Sequence, residues 1–113
     1  MNHDNLVAVM PDEAARQRDF YRAVSAERVR QLQKWGDQRH PDGTGLLGSQ
    51  SNAEAARIHC QRAAEQGNVT WQHILAEEVF EAFAEHDPAK LRAELVQCGA
   101  VIAAWISDLD RRT

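Results

Sequence analysis

The dipeptide Asp87-Pro88 constrains the fold more than any other feature, because it separates two apolar, helix-forming segments by a single sharp boundary. Proline ends a preceding helix but suits the first turn of the next one, and aspartate is a favoured N-cap. The pattern predicts one helix over residues 71–86, capped by Thr70, and another from Pro88 to about Asp110. Since the connection is so short, we expect these two helices to form a tight antiparallel hairpin.

The composition predicts an all-α fold for the rest of the chain as well. Eighteen alanines stand against three threonines and four isoleucines, which favours helix over strand. A helix is expected over residues 12–34, ending at Gly36, and a turn-rich segment over 36–45. A further helix is expected to start at an Asn52 N-cap and to end at Gly67. The predicted architecture is therefore an array of four helices.

Length and charge limit the classes of protein to which this chain can belong. With 113 residues, one helical domain over 11–113 is expected after a flexible tail at residues 1–10. A formal net charge of −4 argues against binding to nucleic acid polymers.

The longest apolar run has seven residues, and no secretory signal is visible, so we expect a cytoplasmic protein without membrane contact. A chain this short with long apolar stripes is expected to assemble as a homodimer or a dimer of dimers.

Four carboxylates share one quarter of the helical wheel in the segment 71–86. With Glu77 at 0°, Glu81 lies at about 40°, Glu85 at about 80° and Glu78 at about 100°. Like charges at these spacings repel one another, and no lysine or arginine is interleaved among them. A bound cation would offset the repulsion. The alternative is a solvated acidic face opposite a core stripe.

Glu94 distinguishes between these alternatives because it lies inside the apolar stripe of the last helix, among residues such as Leu91 and Cys98. A desolvated carboxylate without a partner is costly, so it is paired, protonated or bound to metal. Pairing with Arg92, or partial burial only, is one explanation of Glu94. The other is a metal site in which Glu94 faces Glu78 and Glu81 across the hairpin, forming the oxygen-rich pocket that Mg²⁺ prefers.

The same residues carry a resemblance to a known family. Glu77-Glu78-Val79-Phe80-Glu81, twelve further residues and then Glu94-Leu95-Val96-Gln97 resemble the EExxE…ExxD signature of the MazG-like all-α nucleoside triphosphate pyrophosphatases. The upstream stretch from Glu27 to Gly43 resembles the opening of a bacterial and phage branch of that family. In all, the resemblance covers roughly residues 25–108.

The resemblance implies an obligate helical oligomer that hydrolyses a ribo- or deoxyribonucleoside triphosphate between its α and β phosphates. The products are a nucleoside monophosphate and pyrophosphate. Mg²⁺, with Mn²⁺ as an alternative, would be held by Glu78, Glu81 and Glu94. Glu77 would be catalytic, orienting or deprotonating the attacking water or helping to hold a second ion. Gln97 departs from the signature, which has aspartate there, and would be a neutral fourth metal ligand.

Cationic and aromatic residues complete the predicted site. Lys90 and Arg92, close to Glu94, are candidate phosphate contacts, with a role as ordinary surface charges as the alternative. Lys34 and Trp35 are candidate substrate contacts, since Trp35 could stack on a nucleobase; a core position for Trp35 is equally compatible with the sequence.

A different class of function is also compatible with the sequence. Because Gln97 removes one negative charge from the signature, the chain could be a catalytically degenerate helical module. Such a module would sense nucleotides or bind other proteins without hydrolysis.

Overall fold

The protein folds into helices throughout the part of the chain that its structure, a computed structural model, describes, which is residues 11–112. Four helices follow one another: α1 is Pro11–Trp35, α2 is Ser49–Glu65, α3 is Trp71–Phe83 and α4 is Pro88–Arg111. No strand occurs within this range, so the predicted all-α class with four helices is confirmed for it. The predicted tail, residues 1–10, lies outside the described residues.

Local capping interactions explain most of the helix ends. Gly36 follows α1 with a positive φ of 70°, and its N–H donates to the Leu32 carbonyl at 2.9 Å. At the start of α3, Thr70 Oγ1 accepts from the His73 N–H at 3.3 Å while His73 Nδ1 accepts from the Thr70 N–H at 3.1 Å. Asp87 Oδ2 accepts from the Lys90 N–H at 2.9 Å, as its predicted role of N-cap for α4 requires.

The start of α2 differs from the prediction. The helix begins at Ser49 rather than after Asn52, and its N-cap is Gly48, whose φ of 87° is left-handed and suits glycine. Asn52 lies within the first turn and donates its N–H to the Gly48 carbonyl at 3.1 Å. The Asn52 side chain therefore resembles a capping residue in sequence only, because the sharp turn at Gly48 starts the helix earlier.

The end of α3 is also earlier than predicted. The helix ends at Phe83 rather than at His86, and Ala84, its C-cap, donates to the carbonyls of Phe80 and Glu81. The freed Phe83 carbonyl accepts the N–H of Gly45 at 2.8 Å. The glycine-rich segment before α2 is thus hydrogen-bonded to the last turn of α3.

The chain separates into two compact units. One contains the chain up to His40 and the segment from Ala103 onward, and the other is Pro41–Ile102. In the first unit, the buried hydroxyl of Ser107 donates to Glu13 at 2.6 Å and accepts from Arg16 Nε at 2.7 Å. This contact joins the beginning of α1 to the end of α4. The single domain expected over 11–113 stays a prediction.

The second unit contains α2, α3 and the part of α4 up to Ile102, and it carries the predicted carboxylates. Here α2 packs against α3. Small buried residues, Ala82 of α3 and Cys98 of α4, lie with Leu91 in one apolar cluster, and Leu75 and Val79 of α3 pack against it. Side chains of α3 and α4 thus share one apolar cluster.

Large apolar side chains remain exposed in both units. In α1 they include Val24, Leu32 and Trp35, and in α4 they include Leu95 and Ile102. Among the described residues no large side chain is fully buried. The described chain thus leaves much of its apolar surface in contact with solvent. None of the helices in residues 11–112 combines the length and the apolar character needed to cross a bilayer.

Candidate metal centre

Three carboxylates from the hairpin converge on one point. Glu78 and Glu81 lie one turn apart on α3, and Glu94 faces them from α4. Each offers an oxygen, and these oxygens all lie within 4.8 Å of one another. The structure therefore brings together the three charged ligands that the sequence predicts.

The environment of these carboxylates leaves oxygens without partners. Glu78 Oε2 and Glu94 Oε2 are buried and have no hydrogen-bond partner. Arg92, which the sequence offers as a partner for Glu94, is exposed and leaves that oxygen unpaired. Since buried polar atoms are almost always satisfied, two orphaned carboxylate oxygens in one cluster need an explanation.

Burial and mutual repulsion both act on the protonation of the cluster. Burial, followed by the charges of Glu94 and Glu77, raises the pKa of Glu78. Burial also raises the pKa of Glu81, and the charges of Glu78 and Glu94 add to the effect, while Arg57 opposes it. The fully ionised cluster is thus unfavourable on its own, and a cation would favour it.

An all-carboxylate set of this kind fits a hard divalent ion. Mg²⁺ and Mn²⁺ prefer oxygen ligands, and an ion at the centre would satisfy the two orphaned oxygens. Gln97 lies three residues after Glu94 on α4 and is exposed. Glu77, the predicted catalytic residue, is half-buried beside Glu78 on α3. The ligand role of Gln97 and the catalytic role of Glu77 stay predictions.

Glu85 does not belong to the three-carboxylate cluster, although it shares the acidic quarter of the helical wheel. It lies beyond the end of α3, and its Oε1 accepts the N–H of Asp87 at 3.2 Å. The early end of α3 therefore directs Glu85 to the corner of the hairpin, which makes it a matched control for the cluster.

Helix α2 contributes two neighbours of the cluster that the sequence did not predict. Arg57 forms an ion pair with Glu54, and its charge also acts on Glu77 and Glu81. Cys60 hydrogen-bonds with Glu77, and burial together with this bond raises the pKa of its thiol. Neither residue has a metal-ligand spacing or a periodic signal, so only the packing of α2 against α3 reveals them.

The remaining predicted residues lie around or apart from the cluster. Lys90 and Arg92 are exposed near the start of α4, as phosphate contacts would need to be. Lys34 and Trp35 belong to the first unit, where Lys34 Nζ lies 4.8 Å from the Trp35 ring centroid. Trp35 is 60% exposed, so it is not a core residue of the described chain. The role of these four residues in substrate binding stays a prediction.

His73 takes a structural position at the start of α3. Its Nδ1 lies 2.7 Å from Thr70 Oγ1 and also accepts the Thr70 N–H. The ring of His73 thus takes part in the N-terminal cap of α3.

Comparison of the chain with protein-family models, with curated proteins and with solved structures gives no match. The resemblance to the MazG-like family therefore remains a prediction from the sequence motifs.

Proposed function

We propose that the protein is a metal-dependent pyrophosphohydrolase of the MazG-like type that acts on a ribo- or deoxyribonucleoside triphosphate. It adds water across the anhydride between the α and β phosphates, and the products are a nucleoside monophosphate and pyrophosphate. The observation that carries this proposal is the convergence of Glu78, Glu81 and Glu94, with two buried oxygens lacking partners.

The chemistry of this site suits a polyphosphate substrate. A divalent ion held by the three glutamates would supply positive charge to a group that carries several negative charges. Phosphoryl transfer depends mainly on positioning and electrostatics, so few further groups are needed. Glu77 orients or deprotonates the attacking water or helps to hold a second ion, and the Cys60 thiol lies beside it. Exposed Lys90 and Arg92 contact the phosphates.

The functional form is a homodimer or a dimer of dimers. The support is the exposed apolar surface, including Val24 and Leu32 of α1 and Leu95 of α4, which a second copy would cover. Light scattering is expected to show more than one chain per particle, and a stable monomer at micromolar concentration would contradict this. The two cysteines, Cys60 and Cys98, are free thiols, which suits the reducing cytoplasm.

The direct test is pyrophosphate release from the common ribo- and deoxyribonucleoside triphosphates, with Mg²⁺ and with a chelator. Each of the substitutions Glu78→Gln, Glu81→Gln and Glu94→Gln removes a charged ligand, so each is expected to lower turnover by orders of magnitude. Glu85→Gln is the matched control and is expected to keep wild-type turnover, because Glu85 lies outside the cluster. Wild-type turnover of Glu94→Gln at limiting Mg²⁺ would show that the three residues do not share an ion.

A second candidate function is supported by Gln97. This residue is neutral and exposed where the signature has a charged ligand, which favours a module that binds nucleotides or proteins without hydrolysis. Calorimetry with Mg²⁺ or Mn²⁺, with and without nucleotide, distinguishes the two. Absence of binding heat in both titrations would favour the module over the enzyme.

A further inference from the structure

A second feature of the Pro41–Ile102 unit is a cavity of about 280 Å³ between α2 and α3. From α2 it is lined by Asn52, Ala55 and His59, and from α3 by His73, Ala76 and Phe80. The alanines leave the space open, because larger side chains at these positions would fill it. The metal cluster does not use any of these residues.

The walls of the cavity combine one aromatic ring with several hydrogen-bonding groups. Phe80 offers a ring against which a flat ligand can stack, and Ala55 and Ala76 add apolar contacts. The Asn52 amide can donate and accept at once, and the imidazole of His59 adds a further polar group. Asn52 and His59 are exposed, so a planar heterocycle can bond to them with its polar edge while its face stacks on Phe80.

The position of the cavity on α3 connects it to the acidic cluster. Ala76 and Phe80 line the cavity, and the residues that directly follow them in the chain are Glu77 and Glu81. Successive residues of a helix are separated by about 100° around its axis. The cavity and the carboxylates therefore occupy neighbouring stripes of one helix, within the reach of a single nucleotide.

We propose that this cavity is the base subsite of the protein, where the heterocycle of a nucleotide stacks on Phe80 and presents its polar edge to Asn52 and His59. The proposal rests on the proposed function in one respect, since it takes the glutamate cluster as the place of the phosphates. It assigns base recognition to α2 and α3, without Trp35.

Nucleosides test the subsite because they carry a base but no phosphate. The metal-free protein is titrated with adenosine, guanosine, cytidine, uridine and their 2′-deoxy counterparts, and binding is followed by NMR. At least one nucleoside is expected to bind saturably and to shift the ring signals of Phe80 and His59. If none of them binds, the proposal is overturned.

Substitutions in α2 provide a matched pair for the same titration. Ala55→Leu places a larger side chain at the cavity wall and is expected to weaken binding of the nucleoside at least tenfold. Ala64→Leu makes the same chemical change at an exposed position of α2 that does not line the cavity, and is expected to bind as wild type does. Phe80→Leu keeps apolar volume but removes the ring, and it is also expected to weaken binding. Wild-type affinity in both cavity variants would refute the subsite.

A separate Mg²⁺ titration without nucleoside keeps the two proposals distinguishable. Mg²⁺ binding without binding of any nucleoside overturns the base subsite and leaves the proposed metal site standing. Nucleoside binding that Ala55→Leu abolishes, without any Mg²⁺ binding, supports the subsite and contradicts the hydrolase.

Discussion

Replacing Glu94 with glutamine is expected to stabilise the protein in the absence of metal and to abolish its stabilisation by Mg²⁺. Glu94 lies within 4.8 Å of both Glu78 and Glu81, measured between their oxygens, and its own Oε2 has no hydrogen-bond partner. The glutamine amide is neutral and can donate a hydrogen bond to a facing carboxylate. The substitution therefore removes two of the three repulsions in the cluster.

The size of the effect follows from Coulomb's law. Two unit charges at this separation repel by about 3.5 kcal/mol at an effective dielectric constant of about 20, and by about 0.9 kcal/mol in bulk water. Partial protonation of Glu78 and Glu81, whose pKa values are raised by burial, already relieves part of this repulsion. We therefore expect a net gain of about 1–2 kcal/mol, or roughly 4–8 °C in Tm for a chain of this length.

Mg²⁺ should stabilise the wild-type protein much more than the Glu94→Gln variant. At an ion concentration of about 100 times Kd, binding stabilises the wild-type protein by about 2.7 kcal/mol, and Glu94→Gln is expected to lose most of this gain. The assay is thermal unfolding followed by circular dichroism, in chelator and in Mg²⁺, with Glu85→Gln as the control that leaves both values unchanged. A lower Tm of Glu94→Gln in chelator would show that the carboxylate stabilises the fold, and an equal Mg²⁺ response would refute a shared ion.

Three further outcomes are expected. Gln97→Asp adds a fourth negative charge beside the cluster and should tighten Mg²⁺ binding several-fold in calorimetry; unchanged or weaker affinity would show that position 97 does not face the ion. The hydrogen bond from Ser107 is the main cause that lowers the pKa of Glu13. The ionised Glu13 therefore stabilises the fold above the ordinary glutamate pKa of 4.5, and this stabilisation is lost as pH falls through the lowered pKa. Denaturant unfolding should accordingly show Ser107→Ala destabilised by about 1–2 kcal/mol at pH 7 and by less in acid; a constant difference would contradict this. Glu78→Gln should stabilise the metal-free protein at pH 7, and the gain should vanish as pH falls toward 4.5, because the raised pKa of Glu78 lets the folded wild type take up a proton there.

Local signals explain why the helices could be predicted from the sequence while some of their ends could not. Thr70 and Asp87 act through bonds to residues three positions away, so their caps are visible in the sequence. The start of α2 depends on the left-handed turn at Gly48, and the end of α3 depends on the Phe83 carbonyl accepting from Gly45. Glycine conformations and contacts between distant segments leave no periodic pattern.

The candidate site also combines residues that could be predicted from the sequence with residues that could not. Glu78, Glu81 and Glu94 could be predicted together because helical periodicity fixes their faces and a short connection fixes how α3 faces α4. Arg57 and Cys60 could not, since their place depends on the rotation of α2 against α3, which no spacing in the sequence reports.

The packing of the hairpin and the charge of the cluster oppose each other, and this opposition favours a metal site over an ordinary acidic face. Ala82 is 1% exposed and Cys98 is 7% exposed, so small residues of α3 and α4 are buried in one apolar cluster. The same packing brings Glu94 toward Glu78 and Glu81, which costs electrostatic energy as long as the carboxylates are ionised and no cation is bound. Without a ligand, a carboxylate in the apolar stripe of the facing helix is unfavourable, because burial adds to the repulsion. A cation bound between the helices makes the packing and the charge favourable at the same time.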